Sequence, residues 1–221
     1  MEKLIYVLFG PVDALDGRLE RVARAGVPAA RGIGGERIAI LVPEQADEIR
    51  RRSPARIGGD FAKVAAVFEA WVPTLDARGA LEEALVPHAR SLAGYLVTES
   101  TIQACPHSVA DGMRVPGVTQ WTINDKPAAV SLDDFYREWA VHSKHSFDLH
   151  PTRQSYIRNA VARRVTAAAP AFLGIVLERF PSLEDFTDES VYFGDPAVVK
   201  KVFAQVPRFY EFATAITGGL S

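Results

Sequence analysis

The sequence predicts an α+β protein built from two tandem ferredoxin-like units, each with the element order βαββαβ. Short apolar runs rich in strand-forming residues alternate with segments whose apolar residues recur at helical spacing. The same order begins again after residues 103–117, a segment interrupted by proline and glycine. We therefore expect a first unit over residues 1–112 and a second over residues 113–221, related by element order and not by sequence identity.

In the first unit, six segments are bounded by turn residues. The apolar run at residues 4–9 predicts a strand, which a Gly-Pro pair ends. Leu15, Leu19 and Val22 are spaced by four and three, which predicts a helix over residues 13–25 with a glycine and a proline behind it. The other predicted elements are strands over residues 37–42, 62–72 and 92–102 and a helix over residues 74–85.

The second unit repeats this pattern with a longer first helix. Ser131 is a suitable N-cap for a helix over residues 132–150, and the residue before Pro151 is expected to leave the helical conformation. The end of the chain, residues 209–216, fits either a last strand or an irregular closure. The remaining predicted elements are strands over residues 118–123, 154–165 and 172–180 and a helix over residues 195–205.

A ferredoxin-like sheet carries its helices on one face and leaves the other face bare. Two bare faces can bury each other by packing sheet to sheet, which would give an α+β barrel around a cavity. A duplicated chain could close this barrel alone, and the alternative is a homodimer of two chains. Such a cavity is the natural place for a small ligand.

Composition excludes several classes of protein. The 25 Lys and Arg residues balance 27 Asp and Glu residues, and this argues against a nucleic-acid partner. A single cysteine, Cys105, allows no intrachain disulfide and no cysteine-built metal site. No apolar run is long enough to span a bilayer, and the opening residues do not resemble a signal peptide. We expect a cytoplasmic protein without a membrane partner.

Candidate catalytic groups lie on the predicted helix over residues 132–150. Its apolar face includes Phe135 and Trp139, and His142 lies about 60° to one side of Trp139 when each residue turns about 100°. An imidazole against an apolar wall can act as an acid or base near neutral pH, or can be a structural histidine. His145 lies nearer the polar edge and is the second candidate. No carboxylate joins the two histidines at helical spacing, so no metal site is expected.

Polar residues also interrupt the strand that follows this helix. Tyr156 and Arg158 share one face of the strand, and Asn159 lies on the other. Arg158 and Asn159 can orient a ligand, or can pair with a carboxylate such as Glu178 on the next strand.

Several of these segments resemble the EthD family, and the likeness is good from about residue 94 to residue 212. The family pattern after the aromatic pair is Trp, three residues and His; here that spacing lands on Ser143, with His142 one position earlier. The resemblance implies a dimeric α+β barrel from a family first noticed beside a cytochrome P450 system for ether degradation. The segments that carry it are Asp111-Gly112, Pro116–Gln120, Phe135–Trp139, His142-Ser143 and Tyr156–Val161.

The resemblance also implies candidate chemistry. Fungal relatives are associated with polyketide-type dehydration or decarboxylation, and related barrels include cofactor-free monooxygenases and haem-containing dismutases. We expect a cofactor-independent acid–base enzyme that acts on a hydrophobic aromatic or polyketide-like molecule, because no nicotinamide or flavin fingerprint is visible. A binding protein without catalysis and a haem protein are the alternatives. The expected catalytic residues are His142, His145 and Arg158, and the expected ligand contacts are Phe135, Trp139, Tyr156, Asn159 and Trp121.

Overall fold

The computed structural model describes residues 1–10, 17–43, 46–52 and 58–221. Its strands are β1 (Glu2–Phe9), β2 (Glu36–Leu41), β3 (Val64–Val72), β4 (Ser91–Gln103), β5 (Val118–Asn124), β6 (Ser155–Arg164), β7 (Gly174–Phe180) and β8 (Ile216–Leu220). Its helices are α1 (Arg18–Gly32), α2 (Ala46–Arg52), α3 (Gly79–Leu85), α4 (Leu132–Leu149), α5 (Leu183–Thr187), α6 (Glu189–Tyr192) and α7 (Pro196–Gln205). The predicted mixed α+β class is confirmed. No helix in the described ranges is long and apolar enough to cross a membrane.

The chain divides into two compact units that do not follow chain order alone. The first contains Met1–Glu44, Asp60–Glu99 and Asn159–Ala171. The second contains Gln45–Gly59, Ser100–Arg158 and Phe172–Ser221. Strands β4 and β6 therefore each contribute residues to both units, whereas the predicted division at residue 112 is drawn between strands.

In the first unit the strands lie in the order β2-β3-β1-β4, and the pairings within this order are antiparallel. Alternate residues of β1 point to the helical side of the sheet, where Leu4, Tyr6 and Leu8 are fully buried. They pack there with apolar residues of α1 and α3, such as Val22 and Leu85. The layer between helices and sheet is thus a hydrophobic core.

Helix α1 extends beyond its predicted end and runs through Pro28 to Gly32. Val22, Gly26 and Ala30 are spaced by four and all buried, so tertiary packing of this face outweighs the local disadvantage of proline. A Cβ atom on Gly26 would lie 2.6 Å from Cε2 of Phe68, which shows how closely the helix approaches β3. Residues 13–16 of the predicted helix lie outside the described residues.

In the second unit the strands lie in the order β6-β7-β5-β8. β5 pairs antiparallel with β7 and with β8, and the register places Gln120 opposite Glu178. The last strand begins only at Ile216, at the end of the tail that the sequence left open. A small apolar cluster packs beside this sheet, formed by Ile49, Val118, Phe180, Phe186 and Tyr192.

Candidate functional site

A cavity of about 410 Å³ lies within the second unit, between its sheet and helices α4 and α7. The sequence instead suggested a cavity between two bare sheet faces. The volume lies in the range of about 300–1,000 Å³ that is typical of small-molecule sites. Most of the lining is apolar or aromatic, including Trp139, Val176, Tyr192, Phe193, Val202, Phe203, Phe209 and Tyr210.

The sheet side of the cavity is polar. Gln120, Thr122 and Asn124 alternate along β5 and all line the cavity. Trp121 lies between them and is fully buried, but it is not among the lining residues that the structure describes. Successive side chains of a strand point to opposite faces, and this is why the predicted ligand contact at Trp121 does not reach this cavity.

Helix α4 forms the opposite wall. Its first turn is capped by Ser131, whose Oγ accepts a hydrogen bond from the Asp134 N–H at 3.1 Å. Trp139 and His142 line the cavity. Phe135 lies one turn before Trp139 and is fully buried against it, with ring centroids 5.3 Å apart. Phe135 therefore supports the tryptophan but lies outside the described lining.

His142 has an unusual environment for an imidazole. Its ring lies 5.0 Å from the Phe209 ring, centroid to centroid, and its Nδ1 atom is buried without a hydrogen-bond partner among the described residues. Burial disfavours the imidazolium and lowers the pKa of His142 to about 4, although the charge of Glu178 acts in the opposite direction. The ring is therefore neutral at physiological pH.

The other two histidines near this helix have partners. His145 Nδ1 lies 3.2 Å from the Gln205 side-chain oxygen on α7, and His145 is absent from the described lining. His150 follows the last residue of α4, lines the cavity, and has its Nδ1 3.0 Å from the Tyr192 carbonyl oxygen. Of the two histidines predicted as catalytic, the structure thus brings His142 to the cavity.

A buried hydrogen-bond network joins α4 to β6 through Ser143. The Ser143 hydroxyl donates to the Trp139 carbonyl at 2.8 Å and accepts from Arg158 at 2.8 Å. Because the single serine proton is used, the Tyr156 hydroxyl, 3.1 Å away, is the donor of the third bond. Burial and the charge of Glu178 raise the pKa of Tyr156 to about 12, so its hydroxyl stays protonated.

Two of the predicted site residues on β6 lie outside the described lining. The guanidinium carbon of Arg158 lies 4.1 Å from the Trp139 ring centroid. Arg158 therefore packs against a residue of the cavity wall without lining the cavity itself. Asn159 is fully buried and groups with the first unit. Tyr156, in contrast, lines the cavity as the sequence suggested.

A second network surrounds Glu178, a lining residue on β7. One carboxylate oxygen accepts a hydrogen bond from Arg153 at 2.5 Å, and the other accepts a hydrogen bond from Gln120 at 3.2 Å. Gln120 in turn accepts from the Tyr192 hydroxyl at 2.6 Å. Burial alone would raise the pKa of Glu178, but the charge and hydrogen bond of Arg153 overcome this effect and hold that pKa below its ordinary value.

Sequence reasoning missed most of this second network. Pairing of Glu178 with Arg158 or Asn159 was one of the two alternatives for these residues, whereas the ion pair of Glu178 is with Arg153, four residues after the end of α4. Arg153 precedes β6 and has no periodic signal of its own. The sequence did show that the family pattern of Trp, three residues and His places Ser143 at the histidine position. In the structure Ser143 is buried there and links Trp139, Tyr156 and Arg158.

The described residues contain no group of three or more His, Cys, Asp or Glu side chains that could hold a metal ion. Haem needs an axial ligand, which His142 could offer, and favourable contacts for two anionic propionates. The described lining contains two carboxylates, Glu178 and Glu189, and neither Lys nor Arg. A dianionic cofactor would meet like charge and no cation there, so these residues do not fit haem.

Comparisons with known proteins show the fold class. No known protein family and no curated protein matches the chain. An anthrone oxidase-like protein shares 10% identity and a TM-score of 0.62, over 99% of this chain and 90% of that chain. Chlorite dismutase from Candidatus Nitrospira defluvii, in complex with imidazole, shares 13% identity and a TM-score of 0.53, over 100% of this chain and 91% of that chain. A candidate monooxygenase from Lactobacillus acidophilus shares 12% identity and a TM-score of 0.52, over 100% of this chain and 92% of that chain. These neighbours are of the α+β barrel type, and at such low identity the likeness shows fold alone.

Proposed function

We propose that the protein is a cofactor-independent acid–base enzyme that moves a proton on a hydrophobic aromatic or polyketide-like molecule bound in the second unit. One observation carries this proposal. His142, a neutral imidazole with an unpartnered buried nitrogen, lies on the wall of a cavity whose lining is mostly apolar or aromatic. The anthrone oxidase-like neighbour agrees with an aromatic ligand of this kind.

In this mechanism His142 is the general base. It takes a proton from a carbon next to a carbonyl group, and the C–H electron pair becomes the double bond of an enolate. The side-chain amides of Gln120 and Asn124 line the cavity and each have an N–H left to donate to the enolate oxygen. Return of the proton to another carbon gives isomerisation. Dehydration results when a β-hydroxyl group leaves from the enolate, takes up the proton that His142 removed and departs as water. Decarboxylation, which the sequence also suggested, starts from a carboxylate substrate, and the two carboxylates of the lining disfavour such a substrate.

The ionised Glu178 assists the base. Its negative charge favours the imidazolium that forms when His142 is protonated, and this charge raises the pKa of His142 against the effect of burial. Arg153 and Gln120 hold the carboxylate in place. Arg158 acts on the site through Ser143 and Trp139, as a positioning residue.

We also propose the finer structural interpretation that the two units are tandem ferredoxin-like repeats of the EthD type. Both units place their first strand between their third and fourth strands, and both have the strand order second, third, first, fourth. The motifs around Trp139 and Tyr156 support the EthD assignment.

Deuterium exchange tests the chemistry. Anthrone has an acidic methylene group, and we expect the protein to accelerate its exchange in D2O under anaerobic conditions, which exclude oxidation. His142→Ala should lower the exchange rate by about 100-fold, because general-base catalysis contributes roughly 10²–10⁴-fold, while anthrone affinity changes less than about tenfold.

His145→Ala is the matched variant, since it removes an imidazole from the same helix but outside the described lining. Exchange that survives in His142→Ala and is lost in His145→Ala would transfer the base role to His145. Exchange that is equal in both variants and the parent protein would contradict acid–base catalysis by either histidine.

A carrier without catalysis is the second candidate. The low pKa of His142 favours it, because an imidazole that titrates near 4 is a weak base at neutral pH. Anthrone binding without any enzyme-dependent exchange would support this candidate.

A further inference from the structure

We propose that the cavity selects uncharged aromatic molecules and rejects anionic ones of the same shape. This inference rests on the proposed function, since it specifies the ligand class of the same site. It starts from the charge of the wall and from the hydrogen bonds that its charged group already makes.

The described lining contains neither lysine nor arginine, and the Nδ1 atom of its His150 already lies 3.0 Å from the Tyr192 carbonyl oxygen. Its two carboxylates, Glu178 and Glu189, would repel an anion. Arginine side chains do lie nearby, but Arg153 is engaged with Glu178 and Arg158 with Ser143, and neither lines the cavity. A buried charge without a partner costs several kcal/mol, so a carboxylate ligand would lose far more hydration than it could recover here.

A cationic ligand is disfavoured for a different reason. Glu178 is the buried carboxylate of the wall, and each of its oxygens already accepts a hydrogen bond, one from Arg153 and one from Gln120. Its charge is balanced by Arg153 at 2.5 Å. An ammonium or amidinium group would have to compete with that pair, and Glu189 is exposed.

An uncharged polar ligand neither needs a counter-ion nor competes with the ion pair between Glu178 and Arg153. The remaining polar groups of the wall are amides and hydroxyls, for example Thr122, which donates to Thr217 at 3.2 Å. These groups carry no net charge and keep spare lone pairs or N–H groups for a ligand. Aromatic rings supply the rest of the contact area.

Three probes of nearly the same size separate these cases: 2-naphthamide, 2-naphthoate and 2-naphthamidine. Isothermal titration calorimetry at pH 7 should show 2-naphthamide binding at least about 100-fold more tightly than 2-naphthoate. It should bind about tenfold more tightly than 2-naphthamidine, because the cation must displace existing partners of Glu178.

An added cation should relax the selectivity. Phe203 lines the cavity but is 51% exposed, so a lysine is expected to be tolerated there. Phe203→Lys should improve 2-naphthoate affinity at least about tenfold. Leu132→Lys is the control, because Leu132 is 48% exposed in the same unit and lies outside the described lining.

The outcomes distinguish the inference from the proposed function. Naphthoate or naphthamidine binding as tightly as naphthamide would overturn charge selection and leave the cavity as a binding site. Failure of all three probes to bind would contradict the proposed function itself, and the selectivity with it.

Discussion

The two units share a strand order but differ in what their first strand presents to the helices. β1 presents Leu4, Tyr6 and Leu8, which fill the space between helices and sheet in the first unit. The equivalent positions of β5 are Gln120, Thr122 and Asn124, which line a cavity in the second unit. The same sheet topology thus gives a hydrophobic core in one unit and a candidate binding site in the other, depending on side-chain volume and polarity along one strand.

Substitutions in the polar wall of the second unit should give the largest losses in the free energy of unfolding. Arg153→Met leaves the buried Glu178 without its counter-ion, and we expect a loss of about 3–5 kcal/mol in the free energy of unfolding. The double variant Arg153→Met/Glu178→Leu should recover most of that loss, because no charge remains unpaired. Urea denaturation measures both. A double variant as unstable as the single one would show that the side chains matter mainly through packing.

His142 should make the second unit sensitive to acid. Its pKa is lowered to about 4 in the folded protein, mainly by burial, whereas an unfolded imidazole titrates near 6.5. As the pH falls from about 6.5 to 4, the unfolded state binds a proton that the folded state does not bind, so stability falls.

His142→Asn removes this group and should lose less stability over that pH interval, by up to about 3 kcal/mol. Urea denaturation of both proteins at a series of pH values gives the difference. Parallel pH profiles would show that His142 titrates normally in the folded state and would remove the basis for a neutral imidazole.

Removing a buried aromatic ring should destabilise the first unit more than the second, and this difference in unfolding free energy is the smallest effect that we predict. Phe68→Ala in the filled core should cost about 4 kcal/mol. Phe209→Ala on the cavity wall should cost about 2 kcal/mol, because its ring already borders empty space on one side. Equal losses in urea denaturation would mean that the wall is packed as tightly as the core.

Sequence patterns were informative where local periodicity decides structure. Apolar, strand-forming runs placed β1 and β5, and helical spacing put His142 beside the apolar face of α4, where the structure places it on the cavity wall. The sequence left residues 209–216 open, and the observed β8 shares only Ile216 with that range. Its Gly218 and Gly219 lack the side chains that signal a strand; a Cβ atom on Gly219 would lie 2.7 Å from Ile49.

The rest of the site could not be predicted for a different physical reason. The pairing of Glu178 with Arg153 depends on tertiary packing between residues 25 positions apart. Whether the space above β5 is filled depends on the fit of helices α4 and α7, and no periodicity reports that fit. Sheet-to-sheet packing and a homodimer stay predictions.

The most direct test of the contrast between the units is a titration of the isotopically labelled protein with 2-naphthamide, followed by NMR. We expect saturable shifts of the backbone amides of lining residues such as Trp139, His142 and Thr217, with the amides of Leu4 and Tyr6 unchanged. Saturable shifts confined to the first unit, or none in the second, would contradict the assignment of the binding site to the cavity beside β5.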